Sequence, residues 1–295
     1  MIYLKILLLS VLCAIMLACQ LPPPVSRLRE ADLSRSVVMI VYHPYGPALE
    51  RGLAIPLPDY SGWTDDRMER DFNRLKATGV DVALVGIEAE KMSDHSRLER
   101  YRRLLELRAM NVDWPDLAFF IDFSEVDWSD AHRSETVSAW LLDLNMPHHP
   151  GIFQVAGRPL VVLVSHERIT YRHPAFHSVI ALPFPERVNE WRWQPGNSKW
   201  AAASPDGRQA WLQVGWLDRE ETEPERQWRR RRRDGANPVR WALREGLLLE
   251  PRFVVINSWN NYLDGSFVEP TRADGDRASQ ILQREISHLR RLRSD

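Results

Sequence analysis

Hydrophobic positions along the chain fall into two kinds of run, and the two kinds alternate. Residues 37–42 (VVMIVY), 81–87 (DVALVGI), 117–123 (LAFFIDF) and 159–164 (PLVVLV) are short, continuous and rich in β-branched and aromatic side chains. Such runs mark strands buried on both faces. Between them the period changes: residues 65–78 place Met68, Phe72 and Leu75 at helical spacing before Gly79, and residues 93–110 do the same with Leu98, Tyr101, Leu104 and Leu105. Further strands are predicted at 178–182, 210–214 and 253–259, and further helices at 134–144, 238–249 and 276–292. Seven strands are clear and an eighth fits the spacing. No long linker or internal repeat interrupts the alternation, so one α/β domain is expected.

A succession of such units either closes into a barrel or opens into a doubly wound sheet. A nucleotide-binding sheet would carry a glycine-rich first turn, whereas the first strand here is followed by His43-Pro44-Tyr45-Gly46. The expectation is therefore a single (β/α)8 TIM-type barrel over residues 37–295, with no nucleotide cofactor.

The N-terminal pattern differs. Lys5 precedes an apolar run over residues 6–17 that is too short to span a bilayer, the form of an export signal. Its end, Met16-Leu17-Ala18-Cys19, resembles the lipobox of bacterial lipoproteins, with Met16 in place of the usual Leu or Val. The resemblance implies removal of residues 1–18, a lipid on Cys19, and residues 19–36 as a tether that includes Pro22, Pro23 and Pro24. Gln20 stands where an Asp would retain a lipoprotein at the inner membrane, which implies an outer-membrane anchor facing the periplasm or exterior.

Composition narrows the chemistry. The chain has 295 residues, 39 Lys and Arg against 40 Asp and Glu, and a net charge of -1, which gives no electrostatic case for nucleic acid. Its two cysteines, Cys13 and Cys19, both belong to the export segment, so cysteine nucleophiles, disulfides and thiolate metal sites are excluded from the mature chain. The adjacent pair His148-His149 lacks metal-ligand spacing, and no metal is expected. Arg229 to Arg233 follow Glu220, Glu221, Glu223 and Glu225, the pattern of a solvated, self-pairing helix. A monomer is expected.

In a barrel of this type the chemistry lies where strands end. The residues there are polar or aromatic: Tyr42, His43 and Tyr45; Glu88 and Glu90; Asp122 and Glu125; Trp216 and Asp218; Trp259, Asn260, Asn261 and Asp264. Twelve tryptophans add platforms on which sugar rings stack, with Trp63, Trp191, Trp193, Trp216 and Trp259 near predicted loops or strand ends and Trp140 and Trp241 within helical patterns.

The most specific segment is INSWNNYLDGSFVEP, residues 256–270. It resembles the last-strand motif of the glycoside hydrolase family 71 and family 99 group, which reads S-[WF]-N-E-W-x-E-G-[ST]-x-[IL]-E-P. Ser258, Trp259, Asn260, Gly265, Ser266, Glu269 and Pro270 match, and the stretch Gly151 to Pro159 (GIFQVAGRP) agrees more loosely. The resemblance implies a (β/α)8 barrel acting on α-linked glycans, α-mannan for family 99 and α-1,3-glucan for family 71. In family 99 both glutamates of the motif are catalytic, the first as a base toward the sugar's 2-hydroxyl and the second as the acid for the leaving oxygen. Here Asn261 replaces the first and Asp264 the second.

Asn is no base at neutral pH, so a hydrolase would need Asp264 as acid and another carboxylate as base. Asp122, which closes an apolar strand, is the preferred replacement over Glu88 and Glu125. Catalytic candidates are thus Asp264, Asp122 and Asn261, with Tyr42, His43, Glu88, Trp216, Trp259 and Asn260 as substrate-binding candidates. The competing reading is a degenerate barrel that binds an envelope or exported polysaccharide without cleaving it. An esterase or deacetylase has neither a nucleophile elbow nor a metal-binding Asp and His set to support it.

Overall fold

The computed structural model describes residues 36–44, 62–123, 126–164, 175–181, 201–203, 209–213, 239–240, 242–243, 251–261, 266–272 and 274–292. Strands β1 (Val37–Tyr42), β2 (Val82–Glu88) and β3 (Asp116–Asp122) alternate with helices α1 (Asp65–Thr78), α2 (His95–Met110) and α3 (Asp130–Asp143). There follow β4 (Gln154–Val155), β5 (Arg158–Val164), β6 (His177–Ala181), β7 (Ala201–Ala203), β8 (Gln209–Gln213), β9 (Phe253–Asn257), β10 (Asn260–Asn261), β11 (Ser266–Phe267) and α4 (Arg277–Leu292). Seven strands form one parallel sheet in the order β6-β5-β3-β2-β1-β9-β8, with β7 antiparallel on β8.

Strand alternation assigns the two faces of this sheet. Val38, Ile40 and Tyr42 of β1 share a core with Met68, Phe72 and Leu75 of α1, Leu104 of α2 and Ile286 of α4, so even positions of β1 face the helices. Val37, Met39 and Val41 belong to a second core with Leu84, Ala118, Val162, Trp211 and Val255, which is the inner face. The sheet is curled. Phe120 on β3 and Trp211 on β8 are four strands apart, about 19 Å in a flat sheet at about 4.8 Å per strand, yet their ring centroids lie 6.1 Å apart. The described residues thus supply seven strands of the expected eight-stranded barrel.

Helix ends follow the side-chain chemistry. Thr64 caps α1 by accepting from the Arg67 N–H, Asp65 and Asp66 occupy its first turn, and Gly79 ends it at φ 83°, a left-handed conformation that costs glycine little. Asp94 caps α2 and Ser129 caps α3. The amino end of the sheet is shut by apolar side chains: the backbone of Phe153 bonds to the Leu117 carbonyl at 2.8 Å, and Phe153 and Val155 enter the inner core. Chemistry is left with the opposite, carboxyl edge.

The β4–β5 hairpin turns through Ala156 and Gly157, both at positive φ (51° and 74°), as a two-residue primed turn demands. Alanine is the misfit there. Ala156→Asn is expected to stabilise the domain by about 0.5–1 kcal/mol, read as a higher midpoint in urea denaturation. An unchanged or lower midpoint would show that the turn tolerates alanine without strain.

Candidate functional site

All seven parallel strands end on one edge, and on β2, β3 and β9 the inner-face positions there change from apolar to polar. On β2 the inner series Val82, Leu84 continues to Glu88; on β3 the series Ala118, Phe120 continues to Asp122; on β9 the series Phe253, Val255 continues to Asn257. His43 continues the inner series of β1 one residue past its end. Glu88 and Asp122 are register partners on adjacent strands, which puts two carboxylates side by side on the inner face. Both are half-buried. Glu88 accepts an ion-pair hydrogen bond from Arg97 Nη1 of α2 at 3.3 Å, which holds it at the rim.

The segment after β9 is built onto β1. The Trp259 N–H donates to the Val41 carbonyl at 2.7 Å, and the Trp259 carbonyl accepts from Val268 at 3.0 Å and Glu269 at 2.8 Å. Asn260 then completes a paired clasp: the His43 N–H donates to its Oδ1 at 2.8 Å, and its Nδ2 donates to the His43 carbonyl at 2.7 Å. Asn261 follows in β10, whose partner β11 begins at Ser266. Ser258, Trp259, Asn260, Glu269 and Thr271 are all buried. The matched positions of the motif, as far as they are described, therefore form framework that fixes where Asn261 begins its pairing with β11.

Three expected substrate contacts change role. Tyr42 points behind the sheet: its hydroxyl donates to Asp71 Oδ2 at 3.1 Å and accepts from Trp63 Nε1 at 3.1 Å, and its ring meets Phe72 edge-on at 5.3 Å. Its even position on β1 dictates this. Trp259 is 0% exposed within the helix-side core and presents no face for a sugar. Asn260 is engaged by the His43 backbone. Trp63, the other described platform candidate, is half-buried and packs edge-on against Tyr101 at 5.1 Å. Trp140 lies in the core, as its helical position predicts.

Glu88 and Asp122 are brought together at the carboxyl edge, and His43 follows β1 at the same edge. Trp216, Asp264, Glu125 and Cys19 lie outside the described residues, as does the side chain of Asn261. Two residues at this edge escaped the sequence reading. Asn257 is signalled by strand parity alone, and half-buried Trp128 stands six residues past β3, edge-on to Phe123 at 6.1 Å and to His132 at 4.6 Å. Among the described residues, no group of three His, Cys, Asp or Glu side chains is placed to hold a metal ion.

Burial lowers the pKa of His43 from its ordinary value to about 4. The imidazole, whose two ring nitrogens are both buried, is neutral at physiological pH. Because the folded pKa lies below the unfolded one, the stability is fully present above about pH 6.5 and is lost as the pH falls from there toward 4. His43→Gln is expected to recover about 2 kcal/mol of the difference between denaturation at pH 7.5 and at pH 5. Equal pH dependence in both proteins would contradict this burial.

No family model and no curated protein matches the sequence. Solved structures do match. A glycoside hydrolase family 99 endo-α-mannosidase from Bacteroides thetaiotaomicron, in complex with bis-tris-propane, superposes with a TM-score of 0.64 at 13% identity, covering 88% of this chain and 99% of that one. The fold is family 99-like. A second structure of a family 99 endo-α-mannosidase from the same organism gives 0.63 at 12% identity over 88% and 99%. A glycoside hydrolase-like protein gives 0.50 at 11% identity over 90% and 97%. Within this family 99-like fold, the segment at 256–270 that resembles the family motif sits at the carboxyl end of β9, beside β1.

Proposed function

We propose that this chain is a lipid-anchored glycan-active protein of the bacterial envelope, a glycoside hydrolase that cleaves an α-linked, mannan- or glucan-like polysaccharide at the carboxyl mouth of its barrel. One observation carries the reading: in a family 99-like fold, the inner series of β2, β3 and β9 pass from apolar side chains to Glu88, Asp122 and Asn257 where these parallel strands end. A glycosidase needs one carboxyl group to protonate the departing oxygen and another to supply base or charge at the opposite side. Asp264, at the motif position of the acid, takes the first role. Asp122 takes the second, because it closes the inner series of the apolar strand β3 beside Glu88. Glu88 binds hydroxyls, Trp216 supplies a stacking face, and Asn261 contributes an amide hydrogen bond in place of a charge. No cofactor enters this chemistry.

Asn261 favours a second reading, a barrel that holds polysaccharide without cutting it. Asp264→Asn separates the two. A hydrolase loses turnover while glycan affinity is largely kept, whereas a binding protein shows the same affinity and no turnover before or after the change.

The anchor belongs to the same proposal: lipid on Cys19, with residues 19–36 as tether and the outer membrane as destination. The first eighteen residues are the signal.

A further inference from the structure

The chain enters the barrel at the edge opposite the mouth. Val37, the first residue of β1, bonds to the Arg252 carbonyl at 2.9 Å where β9 begins. The carboxyl ends of α1, α2 and α3 and the loops leading into β2, β3 and β5 share this amino edge, because each helix runs back against its strands. Three large hydrophobic side chains are exposed among the described residues: Met110 at 64%, Val112 at 76% and Leu142 at 51%. All three are on this edge and in one sector of it. Met110 ends α2, Val112 lies in the loop into β3, and Leu142 is in the last turn of α3, the next helix around, which meets α2 through Tyr101 and Trp140 at 5.1 Å. Scattered single hydrophobics on a surface need no explanation, but their confinement to one sector does.

We infer that this amino-edge sector is the face that rests on the lipid bilayer, with Met110, Val112 and Leu142 entering the headgroup region and the carboxyl mouth directed away from the membrane. The inference rests on the anchor proposed at Cys19. Residues between Cys19 and Ser36 span on the order of 50 Å when fully extended, and a Pro-containing segment of that length delivers its end to this edge. Three charge pairs of the edge are matched, which lowers their cost of approaching lipid: Lys76 with Asp113 at 2.9 Å, Arg108 with Asp116 at 2.6 Å, and Arg290 with Asp81 at 2.6 Å. Exposed Asp143 beside Leu142 stays at headgroup depth. In this pose the mouth opens toward an extended polysaccharide that the membrane would otherwise block.

The cysteine content provides the test. With Cys13 removed and Cys19 lipidated, a cysteine introduced at Val112 or Glu90 is the sole free thiol of the mature full-length chain. Each labelled protein is reconstituted into phosphatidylethanolamine and phosphatidylglycerol vesicles with and without a headgroup nitroxide lipid. The Val112→Cys label is expected to be at least three-fold less accessible to aqueous iodide than the Glu90→Cys label at the mouth edge, and strongly quenched by the nitroxide. Equal accessibility of both labels on a chain whose Cys19 is lipidated by mass overturns the orientation and leaves the anchor standing. Protection at Val112 without nitroxide quenching means that a second copy covers the sector, and overturns it as well. An unmodified Cys19 overturns the anchor and this inference together.

Discussion

Asp71→Ala is expected to destabilise the domain by about 3–5 kcal/mol, a large part of the 5–15 kcal/mol that folds an ordinary domain. Asp71 and Arg67 of α1 are 0% and 1% exposed, and Arg67 Nε donates to Asp71 Oδ2 at 3.3 Å while its Nη1 donates to the Gly62 carbonyl at 3.1 Å. Tyr42 donates to the same carboxylate oxygen, and Trp63 donates in turn to Tyr42. Burial pushes the Asp71 carboxyl up, and the Arg67 and Arg70 guanidinium groups oppose that rise. Removing the carboxylate strips the buried Arg67 guanidinium of this ion pair, which is more costly than never having buried the pair. Urea denaturation of Asp71→Ala measures the loss, and the double change Arg67→Met with Asp71→Leu is expected to restore most of it. A loss under about 1 kcal/mol in Asp71→Ala would show that the network contributes little beyond packing.

The second large effect is expected at Asp122. Asp122→Asn keeps the shape of the side chain and removes its capacity to accept a proton, so kcat should fall by about 10²–10⁴-fold with KM nearly unchanged. Glu88→Gln should act differently. Its carboxylate is held by Arg97, and its loss weakens substrate hydroxyl contacts, raising KM with a smaller change in kcat. If Glu88→Gln abolishes turnover and Asp122→Asn does not, the two register partners have been assigned in the wrong order. The comparison is informative because they occupy the same face of adjacent strands.

Continuous apolar runs made the frame legible, because strands buried on both faces show no alternation to misread. β1 falls at 37–42 as its sequence predicts, and α1 matches at both ends because Thr64 and Gly79 are unmistakable caps. α3 starts at Asp130, four residues before the predicted 134, because Ser129 caps it and the first turn carries no hydrophobic signal. The last strand stops at Asn257 rather than Trp259, since the chain turns there to bring the Trp259 N–H to Val41. The site was less legible. A strand end does not disclose which way its last side chain points, so Tyr42, one residue before His43, reads as a substrate contact although it faces the helices. Asn260 reads as a polar contact for substrate until its two bonds to the His43 backbone are seen. Asn257 was missed because a lone amide at a strand end carries no distinguishing pattern.

The departures at Asn261 and Asp264 set the question that matters most. The described motif residues hold the frame, so a family 99-like fold persists whether or not the chemistry does.

The most direct measurement is product release by the full chain from α-mannan, α-1,3-glucan and the host's own exopolysaccharide, followed as new reducing ends. Cleavage of one of these glycans is expected, and it disappears in Asp264→Asn. Absence of cleavage across the panel, with one glycan bound equally by both proteins, would contradict the hydrolase and leave a barrel that holds polysaccharide.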